Sequence, residues 1–542
     1  MKQFFFLILL FFLLISANYG QQSYWQQEAN YTIDVKLDDE KHILHASEEI
    51  EYVNNSPDEL TFLWFHLWPN AYKNKQTAFA KQQLQMGKTL FHYAKDDQLG
   101  YIDSLDFAVN GEKVKWEYHP DHIDIAKIYL NQTLQPGESI VITTPFRVKL
   151  PDSFSRLGHV GQQYQITQWY PKPAVYDQEG WHPMPYLDMG EFYSEFGRFD
   201  VSITLPENYI VGATGNLQTE SEQKLLDSLA REKWQESIYR YSDNFRKSRA
   251  ENKTITYVQE NVHDFAWFAD KTYRVRKDSM QLPHSDRTIT LYALYNDTNF
   301  DVWQDIITYM KDATHYFSLW IGDYAYDVIT VVDGALSAGA GMEYPTITVL
   351  GANDEFGLET VTMHEIGHNW FYGILATNER AHAWMDEGMT SYYEKRYIET
   401  KYPDKKLISL LGDLEEAGSF FKWVAEITQL QDLEYDRYYE LGYMLNARRN
   451  EDQPPGLRAT EFTDVNYGTM VYMKPAVVFG HLEKYLGADE FDRIMKIYYD
   501  RWKFKHPKPE DVHRLFENES GKDLDWFFID LIQTDKKLDY KI

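Results

Sequence analysis

Residues 364–368 read His364-Glu365-Ile366-Gly367-His368, and this spacing fixes the local backbone. On a helix, positions four apart share one face, so both imidazoles can reach one metal ion. Glu365 stands one step round the same helix, where it can hold a water without being a ligand. Gly373 is placed to cap the C-terminal end of that helix. Eighteen residues then separate His368 from Glu387, in Trp384-Met385-Asp386-Glu387-Gly388. That gap allows a loop and a second helix packed on the first, making Glu387 a third ligand. Two His and one carboxylate, with a fourth position left for water, form a catalytic zinc set rather than a structural one. One Zn2+ per chain is expected. Glu394 follows Glu387 by two helical turns and is placed to accept a hydrogen bond from a ligand imidazole.

The chain has 542 residues, enough for two or three domains. Its 54 basic and 83 acidic residues give a formal charge of −29, which argues against nucleic acid and anionic membrane surfaces as partners. Lys2, an apolar run from Phe4 to Ile15 and then Ser16-Ala17 read as a signal peptide over residues 1–20. The run is too short to span a bilayer comfortably, so no integral membrane segment is expected after cleavage. The absence of Cys fits an exported protein of a bacterial envelope, periplasmic or secreted, better than an extracellular animal one.

From Tyr24 to about Phe199 the pattern has period two, as in Tyr31, Ile33, Val35 and Leu37. Leu60 to Trp68 is nearly all apolar and predicts a strand buried on both faces. Thr167-Gln168-Trp169-Tyr170-Pro171-Lys172-Pro173 reads either as a cleft-lining loop or as core. Residues 217–252 are charged and helix-prone. Residues 21–272 are expected to form an antiparallel β domain. Residues 273–542 are expected to form an α+β zinc-peptidase domain with a helical C-terminal part. Its strands are Ile289–Tyr295, Tyr326–Val332 and one ending at Leu350; its helices include Leu407–Ala425 and Tyr438–Asn450.

With H-E-x-x-H, the eighteen-residue gap and Glu387-Gly388, the sequence resembles the aminopeptidase N family of gluzincins, which includes the leukotriene hydrolase. The family's G-A-M-E-N motif is similar to Ala340-Gly341-Met342-Glu343-Tyr344, and its Y-x-K-G-A motif to Tyr472-Met473-Lys474-Pro475-Ala476. Thr167-Gln168 is similar to a T-Q at the edge of the family's substrate cleft. The resemblance implies a thermolysin-like fold for the second domain, peptide substrates and a zinc-dependent aminopeptidase. It implies Glu365 as base, Tyr472 as oxyanion donor, and Glu343, Gly341, Met342 and Gln168 as substrate-binding. The strand from Tyr344 to Leu350 could then bind peptide through its main chain.

Ala340-Gly341 reverses the motif's order, Tyr344 replaces its Asn, and Pro475 replaces a Gly. The chain ends about seventy residues after Tyr472, too few for the large C-terminal helical domain of many relatives. Alternatives are an endopeptidase or other hydrolase on the same zinc site, or an inactive peptide-binding protein.

Overall fold

A computed structural model describes residues 24–231, 247–334, 341–351, 354–407, 432–435 and 437–537. The expected signal segment, Ala340 and nearly all of the expected helix from Leu407 to Ala425 lie outside the described residues.

The first part of the chain obeys its period of two. In the strand Glu28–Asp38, Tyr31, Ile33, Val35 and Leu37 are buried and Thr32, Asp34 and Lys36 are exposed. This strand pairs antiparallel with Ile43–Val53, which pairs antiparallel with Ser139–Lys149. Its other neighbour, Gly197–Pro206, runs parallel to it, with Tyr31 opposite Phe199. The β domain is therefore mixed, where its sequence pattern suggested a wholly antiparallel one. Tight turns join antiparallel neighbours, but these two strands are far apart in sequence, and a long crossover lets them run the same way. A helix at Glu220–Arg231 packs on the outside, within the charged stretch.

Leu60–His66 is a central strand, paired with Ile125–Leu134 on one side and Lys172–Pro173 on the other. It is not buried on both faces. Phe62 and Trp64 stay half-exposed, and the ammonium of Lys127 covers them, 3.7 Å from the Phe62 ring centroid and 5.3 Å from that of Trp64. A cation over aromatic rings lets an apolar run tolerate water on one face.

Trp267–Asp270 is the last strand to pair within the β domain, and Arg274–Gln281 begins a new five-stranded sheet. In that sheet Thr288–Tyr295, Val328–Asp333 and Ile347–Leu350 run parallel, and Gly341–Tyr344 closes the edge antiparallel to Ile347–Leu350. Among the described residues, Gly341–Tyr344 is thus the edge strand on this side of the sheet, and Arg274–Gln281 is the opposite edge. The expected peptide-binding strand, Tyr344 to Leu350, is instead a turn followed by an inner strand with both neighbours in place.

Five helices surround the motif residues: α1 (Ile306–Trp320), α2 (Glu355–His368), α3 (Glu387–Lys401), α4 (Arg437–Ala447) and α5 (Lys474–Leu486). Asp354 caps α2 by accepting from the Gly357 N–H at 2.8 Å. Gly373 does not cap its other end. The chain widens into a π-helical turn over Asn369–Ile374, closed by the Leu375 N–H on Trp370 O at 2.9 Å. Asn369 holds that turn against the sheet, its Oδ1 accepting from the Thr346 N–H at 2.8 Å and from the Tyr324 hydroxyl at 3.2 Å. A second π-helical turn, Tyr467–Met473, leads into α5. Pro475 follows that π turn directly, as the second residue of α5.

Candidate active site

α2 and α3 lie side by side, and their contact brings three donors together. His364 and His368 face one way because they are four apart on α2. Glu387, the first residue of α3, meets them with one oxygen. Its Oε2 is 3.2 Å from His364 Nε2 and 3.4 Å from His368 Nε2. The ligand atoms of these three residues all lie within 4.8 Å of one another, which fits a single small cation. Two imidazole nitrogens and a carboxylate oxygen suit zinc chemically.

Both imidazoles are held from behind. His364 Nδ1 faces Glu394 Oε2 at 2.9 Å, and the Tyr439 hydroxyl donates to the other Glu394 oxygen at 2.7 Å. His368 Nδ1 faces Asp386 Oδ1 at 2.7 Å, with both side chains fully buried. These bonds fix the tautomer and aim each Nε2 at the common centre. Glu394 thus stands where its spacing put it. Asp386 was missed, and the signal was available: a second carboxylate immediately before the ligand. Burial raises the Glu387 carboxyl, but the charge of His368 and hydrogen bonds from both imidazoles hold it well below its usual range. Burial lowers His364, yet its bonds to Glu387 and Glu394 carry it up to about 10.

Glu365 is buried on the adjoining face of α2, 3.4 Å from the Thr348 hydroxyl. Burial outweighs the nearby imidazoles and pushes its carboxyl up to about 7. A carboxylate poised there can take and return a proton near neutral pH. Gly341 makes room for it: a Cβ on Gly341 would collide with Glu365 Oε1. A cavity of about 600 Å³ opens over these groups, and Gly341, Met342 and Glu343 of the edge strand line it.

Glu343 is 4% exposed, and its Oε1 has no hydrogen-bond partner among the described residues. Its carboxylate lies within 4.8 Å of those of Glu387 and Glu191. Glu191 was not foreseen. It comes from an irregular stretch of the β domain that carries no motif, so only the fold brings it here. One of its oxygens pairs with the buried Arg156 guanidinium, and its Oε2 is unpartnered among the described residues. Burial pushes both carboxyls up. Two buried, incompletely satisfied carboxylates beside the donor set form a receptor for a cation.

Tyr472 closes the far wall. Its hydroxyl donates to Glu387 Oε1, and its ring lies 6.0 Å from that of His364 at an angle of 19°. Tyr467, one π turn earlier, is engaged elsewhere: its hydroxyl accepts from the Gly190 N–H at 3.1 Å.

Residues 346–531 match the peptidase family M1 domain. This stretch is thus similar to the catalytic domain of peptidase family M1, the aminopeptidase N family that the motifs resemble. The chain is 22% identical over 209 residues to Aminopeptidase M1-B of Oryza sativa subsp. japonica, covering 36% of this chain and 21% of the relative. It is 26% identical over 180 residues to Leucine aminopeptidase 2 of Lodderomyces elongisporus, covering 30% of this chain and 26% of the relative. The match therefore spans only about a fifth to a quarter of the length of these curated relatives. In fold it is similar to a two-domain M1 zinc metallopeptidase mutant crystallised with L-arginine, with a TM-score of 0.58 at 14% identity over 92% of this chain and 91% of that one. Legionella pneumophila aminopeptidase A, in complex with aspartic acid, gives 0.62 at 13% identity over 95% of this chain and 50% of that one.

The departures from the M1 motifs have local causes. Tyr344, in place of the motif's Asn, turns its ring away into the β domain, 6.4 Å from that of Phe268. Pro475 packs on Gly388, where a Cβ would come within 2.6 Å of the proline Cβ. The structure does not bring Gln168 to the cleft, where Thr167-Gln168 suggested it. Its amide donates to Asp264 and accepts from Lys172 at 2.8 Å, and both partners are 1% exposed. Trp169 and Tyr170 are buried beside it, so this aromatic stretch is core.

Proposed function

We propose that this chain is a zinc-dependent aminopeptidase that releases N-terminal residues from peptides. The observation that carries the reading is the pair Glu191–Glu343, buried and incompletely bonded, beside a two-His, one-Glu donor set. His364, His368 and Glu387 would hold a zinc ion, which would supply Lewis acidity toward a scissile carbonyl and toward water. The rest falls to the side chains. Glu343 and Glu191 accept the substrate's α-ammonium, which seats the first peptide bond over the donors. The edge strand Gly341–Tyr344 offers main-chain groups to the substrate backbone. Glu365 takes the proton of the attacking water and delivers it to the leaving amine. The Tyr472 hydroxyl turns from Glu387 to the oxyanion that forms. Gly341 and Met342 line the cleft beneath the substrate.

The test compares free and N-acetylated peptides, with and without a zinc chelator. Stepwise release of amino acids from free peptides, abolished by chelation and absent for acetylated ones, is expected. Internal cleavage of acetylated peptides at comparable rates would replace this reading with the endopeptidase. We also propose export to a bacterial envelope or its surroundings, supported by Lys2, the apolar run Phe4–Ile15 and the lack of Cys.

A further inference from the structure

One face of helix α4 holds Tyr439, Asn446 and Ala447 against the catalytic domain, as a packed helix should. The opposite face would ordinarily be polar. It carries Tyr438, Leu441, Met444 and Leu445 instead, each 40–54% exposed. These positions follow the i, i+3, i+6, i+7 spacing of one stripe. The stripe is continuous with the cleft, because Tyr438 belongs to it and also lines the cleft beside Tyr439. This end of the cleft lies on the His364 side of the donor set, since Tyr439 holds Glu394 and Glu394 holds His364. The Glu191–Glu343 receptor lies at the other end, near His368.

We infer that the α4 stripe is a docking ledge for the downstream part of a peptide substrate, and that it favours apolar residues there. The inference rests on the aminopeptidase reading, which sets the direction of the bound chain. A peptide whose amine sits at Glu343 and whose first bond lies over the donors leaves the cleft past Tyr438. From Tyr438 to Leu445 the helix rises about 10 Å, the span of roughly three extended residues. Peptides of about six residues or more reach it, whereas dipeptides and aminoacyl anilides do not.

Binding is measured by fluorescence anisotropy on the full-length Glu365→Gln protein, so turnover is not needed. The probes are two C-terminally labelled octapeptides that share their first three residues. One continues with Leu and Phe, the other with Ser and Gln. The apolar peptide should bind about tenfold more tightly, as for burial of two half-exposed leucines. Added to the Glu365→Gln protein, the Leu441→Ser, Leu445→Ser double change should erase that difference; made in the wild-type chain, it should leave cleavage of an aminoacyl anilide unchanged. Both positions are exposed, so folding should survive, and circular dichroism checks it.

Equal binding of the two octapeptides, or a difference that survives the double variant, would overturn the ledge. So would a concentration-dependent dimer that the double variant dissociates, which would assign the face to a second copy of the chain. Failure of the aminopeptidase reading shows separately, as no amino-acid release by the wild-type enzyme from either octapeptide.

Discussion

At the scale of single residues, the site divides labour in a way that substitutions can separate. His364→Ala removes a donor, so zinc and activity should be lost together, read by metal analysis and peptide turnover. Glu365→Gln keeps the shape but not the basicity, so zinc should remain at one per chain while kcat collapses. Full zinc in the His364→Ala protein would reject the ligand assignment. If Tyr472 donates to the oxyanion as proposed, Tyr472→Phe should lower kcat about a hundredfold with little change in KM, and Tyr467→Phe should not. Asp386→Ala leaves His368 without its orienting carboxylate, and zinc affinity should fall by about ten- to a hundredfold in a chelator competition. Unchanged affinity would remove Asp386 from the site. The rate should also fall on the acid side of neutrality. Burial holds the Glu365 carboxyl up near 7, and only its ionised form, present above that value, can take a proton. A bound cation favours the ionised form, so the acid limb of kcat/KM should lie at or below pH 7, and Glu365→Gln should abolish it.

At the scale of elements, what a short window specifies is legible and what the fold assembles is not. Histidines four apart can share a ligand only on a helix, so α2 and its two donors follow from five residues. Glu394 follows from its spacing to Glu387. The strands around Tyr31 and Val328 follow from alternation and burial. Glu191 does not, because no local pattern marks it and a β-domain loop delivers it. Gln168 misleads for a related reason: two residues resembling a motif say nothing about the buried Lys172–Asp264 pair that captures the side chain. Gly373 looks like a cap because the wider π turn, stabilised by Asn369, has no signature of its own. Two glycines test how closely the elements approach. Gly388→Ala would press on Pro475 and strain the contact between α3 and α5, costing about 1–3 kcal/mol and lowering Tm in a thermal scan. Gly341→Ala would press on Glu365 itself. It should keep zinc and lower kcat by about a hundredfold, the scale of a misplacement near 1 Å. Wild-type kcat in the Gly341→Ala protein would show that the strand can yield.

At the scale of the whole molecule, charge and site point the same way. The chain carries −29, and Glu191, Glu343 and Glu394 line its cleft around the donor set. Such a field draws cationic substrates toward a cleft lined by low-dielectric walls and repels anionic ones. The effect acts before contact, so it belongs to the rate of encounter rather than to the bound complex. Salt weakens it, because the screening length shrinks from about 30 Å at 0.01 M to about 8 Å at 0.15 M. For peptides that share their first three residues and differ in lysine or glutamate beyond, kcat/KM should therefore move in opposite directions with added salt. The lysine peptide should lose several-fold between these concentrations, while the glutamate peptide gains. The change should appear in KM and leave kcat nearly constant, since the α-ammonium pair is desolvated in the cleft and screened less. Parallel responses of the two peptides would show that the net charge serves solubility and does not steer substrates.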